Sequence, residues 1–408
     1  MTEKASLKRL QLSNFKLEAL LSITLSINEN LSTQALLSKY ENIIRKDLGI
    51  GKVVLFNYNK KWQCILASGL KDDNYLTIQV ESDLLPFREI TNLTISQYPK
   101  LQGFDVVIPV FHKSVPLAFV LLGDIEEERD GISPIIKHLN FFQTLTNILV
   151  VAIENKRLYT ENIQQESIKK ELDLARQMQS MLIPHPDALP KNNFLYVTSY
   201  YQPHYEVGGD YYDFFYLNEF EVGFCIADVS GKGISAALLM SNFQASLRAL
   251  FTTDIELNQL ICRLNGIINN NTKGEKFITA FIGKYNIQTR MLKFINAGHN
   301  PPLLFIPQNE YQYLKTGCAG LGMLPEIPQI NIGSIIIPQN ARLVCYTDGL
   351  VEMENELHEE FGTKEMEQMV EKEDNLDLFV WKIIQRVNVY RGKMPFFDDI
   401  SLLCIEFK

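Results

Sequence analysis

The sequence predicts an α+β protein whose C-terminal half is a two-sheet sandwich flanked by helices, preceded by a small α/β unit and a helical linker. Three observations carry that prediction. The chain has 408 residues, 46% of them hydrophobic and 21% charged, a globular composition over a length that suits two or three domains. Residues 155–180 lack Gly and Pro and are charged and Gln-rich, as a connecting helix would be. Beyond residue 194, runs such as Leu343-Val344-Cys345 are apolar on both pleat faces, which suits strands with a second sheet on one side and a helix on the other.

Taken in order, segment 14–154 opens with an amphipathic helix carrying Leu17, Leu20, Leu21 and Ile27, then a second helix around 35–48. A strand at 53–56 runs toward a turn at 57–60. Strands at 106–111 and 116–123 flank a turn at His112-Lys113-Ser114, and a helix rich in Leu, Phe and Ile leads out toward Glu154. In the linker, 155–190, Ile168, Leu172, Ala175 and Leu182 fall on a heptad seam with Gln179 in one core slot. That short seam suits a surface connector and a dimer stalk equally. Pro184, Pro186 and Pro190 end the helix because none supplies the donor its next turn needs. In 191–408 the expected strands are 196–201, 222–227, 277–287, 291–296, 303–306, 343–346 and 400–407. The expected helices are 234–250, 257–268 and 376–390, with a hairpin connection at 287–290.

Composition narrows the function classes. Lys+Arg 39 against Asp+Glu 48, a formal net charge of -9, gives no electrostatic reason to bind nucleic acid or an anionic membrane. No apolar stretch reaches the roughly 18–20 residues of a membrane span, and the N-terminus lacks the apolar core of a signal peptide. The six cysteines never form C-x-x-C, so reduced thiols in a cytoplasmic protein are expected.

Acidic residues recur where apolar runs meet glycine turns. They are Asp210 in Val207-Gly208-Gly209-Asp210-Tyr211-Tyr212-Asp213, Asp228 in Asp228-Val229-Ser230-Gly231-Lys232-Gly233, Asp348 in Tyr346-Thr347-Asp348-Gly349, and the pair Asp398-Asp399 before Ile400-Ser401. Each alone reads as an ordinary solvated turn, a helix cap (Asp228 or Ser235) or a strand start. Together, carboxylates converging in one apolar segment would repel one another and be costly to bury. Divalent cations relieve both problems and can acidify a water. An all-oxygen donor set favours Mg²⁺ or Mn²⁺ over zinc.

As an ordered set, these blocks, with Ala236-Ala237-Leu238-Leu239-Met240 and Asn296-Ala297-Gly298-His299-Asn300-Pro301-Pro302, resemble the metal-dependent protein serine/threonine phosphatases of the PPM (protein phosphatase 2C-like) type. Asp398-Asp399-Ile400-Ser401 resembles the SpoIIE/RsbU branch in particular. The resemblance covers about residues 165–408. It implies an αββα sandwich with two divalent cations, Mn²⁺ or Mg²⁺, between the sheets. Asp210 would bind one or both metals. Asp228 would bridge them, the Val229 carbonyl would be a backbone ligand, and Asp348 and Asp398 would complete the first site. Asp399, at a position that is Asn in many relatives, would support the metal site from behind. The glycines after Asp228 would admit close backbone approach, Lys232 would meet substrate phosphate, and His299 is read as structural in preference to a general acid. Unlike the animal and plant members, the chain shows no obvious phosphate-holding arginine before Asp210. The implied reaction is direct in-line attack of metal-activated water on a phosphoseryl or phosphothreonyl group, without a phosphoenzyme. The implied substrate is a regulatory phosphoprotein, a STAS-type anti-sigma-factor antagonist.

Segment 14–154 resembles a GAF domain, through its paired helices, the Val53-Val54-Leu55-Phe56 strand, the Val107-Ile108-Pro109-Val110 and Ser114-Val115-Pro116-Leu117 strands and the exit Ala152-Ile153-Glu154-Asn155. That implies a sensor that binds a small ligand or dimerises the chain, acting through the linker helix on the phosphatase. Three rivals were weighed. A diguanylate cyclase needs an acid and an aromatic where Tyr211-Tyr212 stand, and a P-loop needs glycine at Ile226. A catalytically silent scaffold would be expected to lose metal aspartates, which are all retained here.

Overall fold

The computed structural model describes residues 2–93, 98–112, 114–125, 139–307, 310–372 and 375–408. The chain forms two compact units, Met1–Glu166 and Ser167–Lys408.

The first unit contains α1 (Thr2–Asn28), α2 (Thr33–Asn42), β1 (Ile50–Asn59), β2 (Lys61–Ser68), α3 (Val80–Asp83), β3 (Thr91–Asn92), β4 (Val106–His112), β5 (Val115–Ile125) and the start of α4 (Leu139–Ser180). The Ser32 hydroxyl accepts from Ala35 N and starts α2. The strands form one sheet in the order β2-β1-β5-β4-β3, every pair antiparallel. Both faces are covered. Val53, Leu55, Ile108 and Val120 pack with Ile23, Tyr40, Phe142 and Leu149 of the helices, and Val54, Phe56, Phe119 and Leu121 pack with Phe87, Leu101 and Phe104. Burial on both faces is why the 53–56 run is apolar without alternation. Strand β2 is absent from the sequence reading because its side chains are mostly half-exposed and leave no apolar run. Residue 113 of the expected turn lies outside the described residues. The helix expected to lead out toward Glu154 and the linker helix are one unbroken element, α4, since no Gly or Pro interrupts residues 139–180.

The second unit holds the end of α4, then β6 (Leu195–Gln202), β7 (Tyr211–Tyr216), β8 (Glu221–Val229), α5 (Ile234–Leu250), α6 (Leu257–Thr272), β9 (Ile278–Asn286), β10 (Met291–Ala297), β11 (Leu303–Ile306) and β12 (Glu310–Tyr313). It continues with β13 (Gly317–Cys318), β14 (Gly333–Ile336), β15 (Ala341–Tyr346), α7 (Asp348–Val351), α8 (Lys364–Lys372), α9 (Leu376–Arg391) and β16 (Ile400–Phe407). One sheet runs β13-β10-β9-β8-β7, with β14 also on β10; the other runs β12-β11-β15-β16-β6. A single core joins Phe243, Leu247 and Leu260 of α5 and α6 to Phe224, Phe281 and Ile295 of the first sheet and to Leu343, Leu403 and Ile405 of the second. The Tyr285 and Phe407 rings meet across the two sheets, 4.7 Å between centroids. On the outer face of the second sheet, Val344, Leu402 and Cys404 pack under Met366, Phe379 and Ile383 of α8 and α9. The layers are therefore helix, sheet, sheet, helix, as expected from runs apolar on both pleat faces. Met291 pairs with Asn286 across the 287–290 connection, so that hairpin is present too. Among the described residues no helix is long and apolar enough to cross a membrane, and all six cysteines are free.

An ion pair between a buried carboxylate and a half-exposed guanidinium ties the first sheet to α5. The Asp213 carboxylate on β7 is wholly buried. It accepts from Arg248 of α5 (Nε 2.7 Å, a terminal guanidinium nitrogen 2.9 Å), from Phe214 N at 2.9 Å and from the Tyr211 hydroxyl. Removing the cation strands a desolvated charge. Arg248→Met should lower stability by about 2 kcal/mol, read as a drop in the urea midpoint at unchanged slope. A shift within experimental error would mean that the pair is balanced by its desolvation.

Candidate functional site

The predicted acidic residues come from strand ends of both sheets. Strand β7 pairs with β8 so that Tyr211 faces Ala227; one step further along that register, Asp210 meets Asp228, and their carboxyls hydrogen-bond to each other. On the second sheet, Asp348 follows β15 as the first residue of α7, and Asp398-Asp399 leads into β16, the neighbour of β15.

Between β8 and α5 the chain turns through Gly231 (φ 84°) and Gly233 (φ 75°). This left-handed backbone is what glycine is needed for here. A β-carbon at 233 would meet no protein atom within 4 Å, so within the chain it is the positive φ that calls for glycine at that position. Gly233 itself begins α5 without any side-chain cap, which removes the reading of Asp228 or Ser235 as helix caps.

Electrostatics distinguish these carboxyls from surface ones. Asp210 is buried, and its carboxyl is pushed well above the usual range, first by desolvation and then by the charges of Asp228 and Asp399. Its Oδ2 accepts from the hydroxyls of Thr347 at 2.7 Å and Ser401 at 2.6 Å. Asp228 is raised to about 7 by burial, then by Asp348, Asp398 and Asp399. Asp348 is raised by burial and then by Asp398. One proton shared by Asp210 and Asp228 is what a cation-free cluster of this kind requires.

Among the described residues no three Asp, Glu, His or Cys side chains close into a ready metal cage. Asp210 and Asp228 are in hydrogen-bond contact, and Asp348 and Asp398 act on Asp228 and on each other through charge. Lys232 reaches Asp398, its Nζ 2.8 Å from Asp398 Oδ2 and also bonded to the Phe397 carbonyl. Asp399 is turned to the backbone: Oδ1 accepts from His204 N at 2.7 Å, and Oδ2 from Gly209 N at 2.6 Å and Asp210 N at 3.3 Å. The Val229 carbonyl lies against the Gly209 turn, where a β-carbon at 209 would approach it to 3.0 Å. The donors gathered here are carboxylate and carbonyl oxygens, the chemistry of a hard divalent cation.

His299 is buried. Its Nδ1 lies 2.9 Å from the Thr279 hydroxyl, and its backbone N–H donates to Asn296 Oδ1 at 2.8 Å. Burial pushes its imidazole down to about 4, so it is uncharged at neutral pH. The sequence reading missed Thr347 and Ser401; both sit inside the motif blocks, where their hydroxyls look like unremarkable polar residues. It also misplaced Gln179. The side chain assigned to a heptad core slot is buried in its own unit, with Nε2 donating to Gly208 O at 2.7 Å and Oε1 accepting from Gly208 N at 3.0 Å. A bent loop with both peptide groups unpaired satisfies a primary amide better than an apolar seam does.

Residues 218–408 match the family described as Stage II sporulation protein E (SpoIIE). Curated relatives include phosphoserine phosphatase RsbU of Bacillus subtilis (strain 168), 29% identical over 221 residues, which cover 53% of this chain and 64% of that protein. Phosphoserine phosphatase RsbP of the same organism is 27% identical over 188 residues, covering 45% of this chain and 46% of that protein. The chain thus spans about half the length of the curated relatives it matches. Among solved structures, the SiaA-PP2C domain of Pseudomonas aeruginosa aligns with a TM-score of 0.52 at 19% identity, covering 60% of this chain and 99% of that one; this is a likeness of fold.

The buried His299 makes a pH prediction. Its folded pKa of about 4 lies below the ordinary 6.5, so the unfolded chain binds the proton first and stability falls as pH drops from 6.5 toward 4. Between pH 7 and pH 5 the wild type should lose about 2 kcal/mol more than His299→Asn, measured by urea unfolding at both pH values. Equal losses would show that the imidazole is protonated in the fold.

Proposed function

We propose, on the premise that residues 218–408 form a SpoIIE-type domain homologous to the RsbU and RsbP phosphatases, that this protein hydrolyses phosphoserine or phosphothreonine on a regulatory protein with the help of divalent cations. The observation that carries the reading is the buried Asp210–Asp228 pair, two carboxyls in hydrogen-bond contact at the ends of adjoining strands, with Asp348 and Asp398 close enough to act on Asp228. Nothing in the packing of the sandwich requires acids there, and a cation-binding role does.

Asp210, Asp228, Asp348, Asp398 and the Val229 carbonyl would hold two Mn²⁺ or Mg²⁺ ions. When bound, such ions acidify water and neutralise the charge that develops on a phosphoryl group. Thr347 and Ser401 orient Asp210 by donating to its Oδ2. Asp399 would support the metal site from behind by pinning the 204–210 backbone, since both of its oxygens accept N–H groups. Lys232, released from Asp398, carries the positive charge nearest to a substrate phosphate. His299, neutral and bonded to Thr279, keeps the 296–299 turn in place.

The substrate is, on this reading, a STAS-type anti-sigma-factor antagonist, the kind of phosphoprotein that a partner-switching pathway would present. The N-terminal unit is a GAF-like sensor for a small ligand, and the free thiols suit a cytoplasmic setting. Ile168, Leu174 and Met178 of α4 are exposed, and we assign this stretch to a homodimer contact through which the sensor acts.

Asp228→Asn should abolish metal-dependent release of phosphate from p-nitrophenyl phosphate and from a phosphoprotein while leaving the circular dichroism spectrum intact; chelation should do the same to the wild type. Retained turnover in Asp228→Asn rejects the reading. Asp228 must also give up its proton before a cation binds, so Mn²⁺ should raise Tm more at pH 8 than at pH 6. An increment independent of pH would place the ion elsewhere.

A further inference from the structure

Loop 207–210 carries Asp210 and is held from two directions. From the β16 side, Asp399 accepts the N–H groups of Gly209 and Asp210. At Gly208 the loop is held by a side chain at the end of α4. The Gln179 amide meets both peptide groups of Gly208, donating to its carbonyl at 2.7 Å and accepting its N–H at 3.0 Å, with only 6% of the residue exposed. No slack is available at this point. A β-carbon on Gly208 would clash with the Asp399 carboxylate and the Tyr201 hydroxyl, so the glycine is closely packed where the amide clasps it.

The paired hydrogen bonds fix both the position and the rotation of the Gly208 peptide units. Asp210 is two residues on, and its carboxyl is in turn fixed by Thr347 and Ser401. A buried N–H and a buried C=O left without partners would each have to find water. Reaching water would require the loop to move, and Asp210, two residues on, would be less firmly held against Asp228.

We propose that Gln179 is a positioning residue that sets the cation affinity of the Asp210–Asp228 site by clasping Gly208, so that this affinity depends on the seating of the end of α4. The inference rests on the metal reading above. It goes beyond that reading in assigning the control point to one amide–peptide contact, instead of to the ligands or to a heptad seam.

The test uses the full-length chain after chelation and measures Mn²⁺ binding by calorimetry, with circular dichroism as a check on folding. Gln179→Met keeps the length of the side chain and removes both hydrogen bonds. It should weaken Mn²⁺ binding by about 10–100-fold, the range found when partners behind metal ligands are removed. Ile183→Val, which thins the buried core beside the same segment, should lower Tm and leave Mn²⁺ affinity unchanged. Wild-type affinity in a folded Gln179→Met overturns the proposal, as does an equal loss in both variants, which would mark general destabilisation. If Gln179→Met fails to fold, Gln179→Leu and Gln179→Ala are carried through the same titration; should all three be unfolded, the amide holds the fold and the positioning role is rejected. A wild type that binds no Mn²⁺ would sink the metal reading itself, an outcome distinct from the others.

Discussion

The second unit is organised around mutual repulsion among carboxyls that the strand registers force together. Strand pairing puts Asp210 opposite Asp228, and the neighbouring β15 and β16 bring Asp348 beside Asp398. Burial adds to the repulsion by removing the water that would screen it. The strain shows as an Asp228 carboxyl pushed up to about 7 and hydrogen-bonded to Asp210, and the Lys232 ammonium relieves part of it on Asp398. Any function given to the site has to supply positive charge there, which is why a divalent-cation reading is the economical one.

Support for the cluster comes from two hydroxyls and from a carboxyl turned to the backbone. Thr347 and Ser401 fix one oxygen of Asp210, and Ser401 N donates to the Thr347 hydroxyl at 2.9 Å, so the two hydroxyls are themselves held in place. Asp399 spends its charge on three backbone N–H groups, an arrangement that stabilises a carboxylate without a counter-ion. Two adjacent acids thus divide the work: Asp398 faces the cluster, and Asp399 shapes the loop that carries Asp210. The Arg248–Asp213 pair performs a similar task at the other end of β7, anchoring the strand to α5.

Helix α4 has two characters along its length. Toward its start, Phe142, Leu145 and Leu149 are buried in the core of the first unit. Between Ile163 and Met178 apolar side chains stand exposed. At its end Gln179 enters the second unit and bonds to the loop that leads into Asp210. A polar residue in a heptad core position looks, from sequence, like a device for setting register between helices. Its partners here are peptide groups 29 residues away in the chain.

What the sequence determined by itself was everything written in a short-range pattern. The strands 222–227 and 400–407, the helix 234–250 and the 287–290 hairpin follow from runs and turns that local backbone preference reads directly. The order of the acidic blocks pointed to one site, because strand ends of a sandwich converge. The half-exposed strand β2 escaped because a solvated face leaves no periodic signal, and the mostly buried β7 because it lies inside the Asp210 motif block, where its residues read as part of a turn. Only the tertiary structure decided that Asp399 holds backbone, that Lys232 pairs with Asp398, that His299 is a neutral buried group, and that Gln179 clasps Gly208. Each of those outcomes depends on which donors and acceptors are left unpaired once distant segments meet. That is a property of the packed three-dimensional arrangement, and no window of sequence contains it.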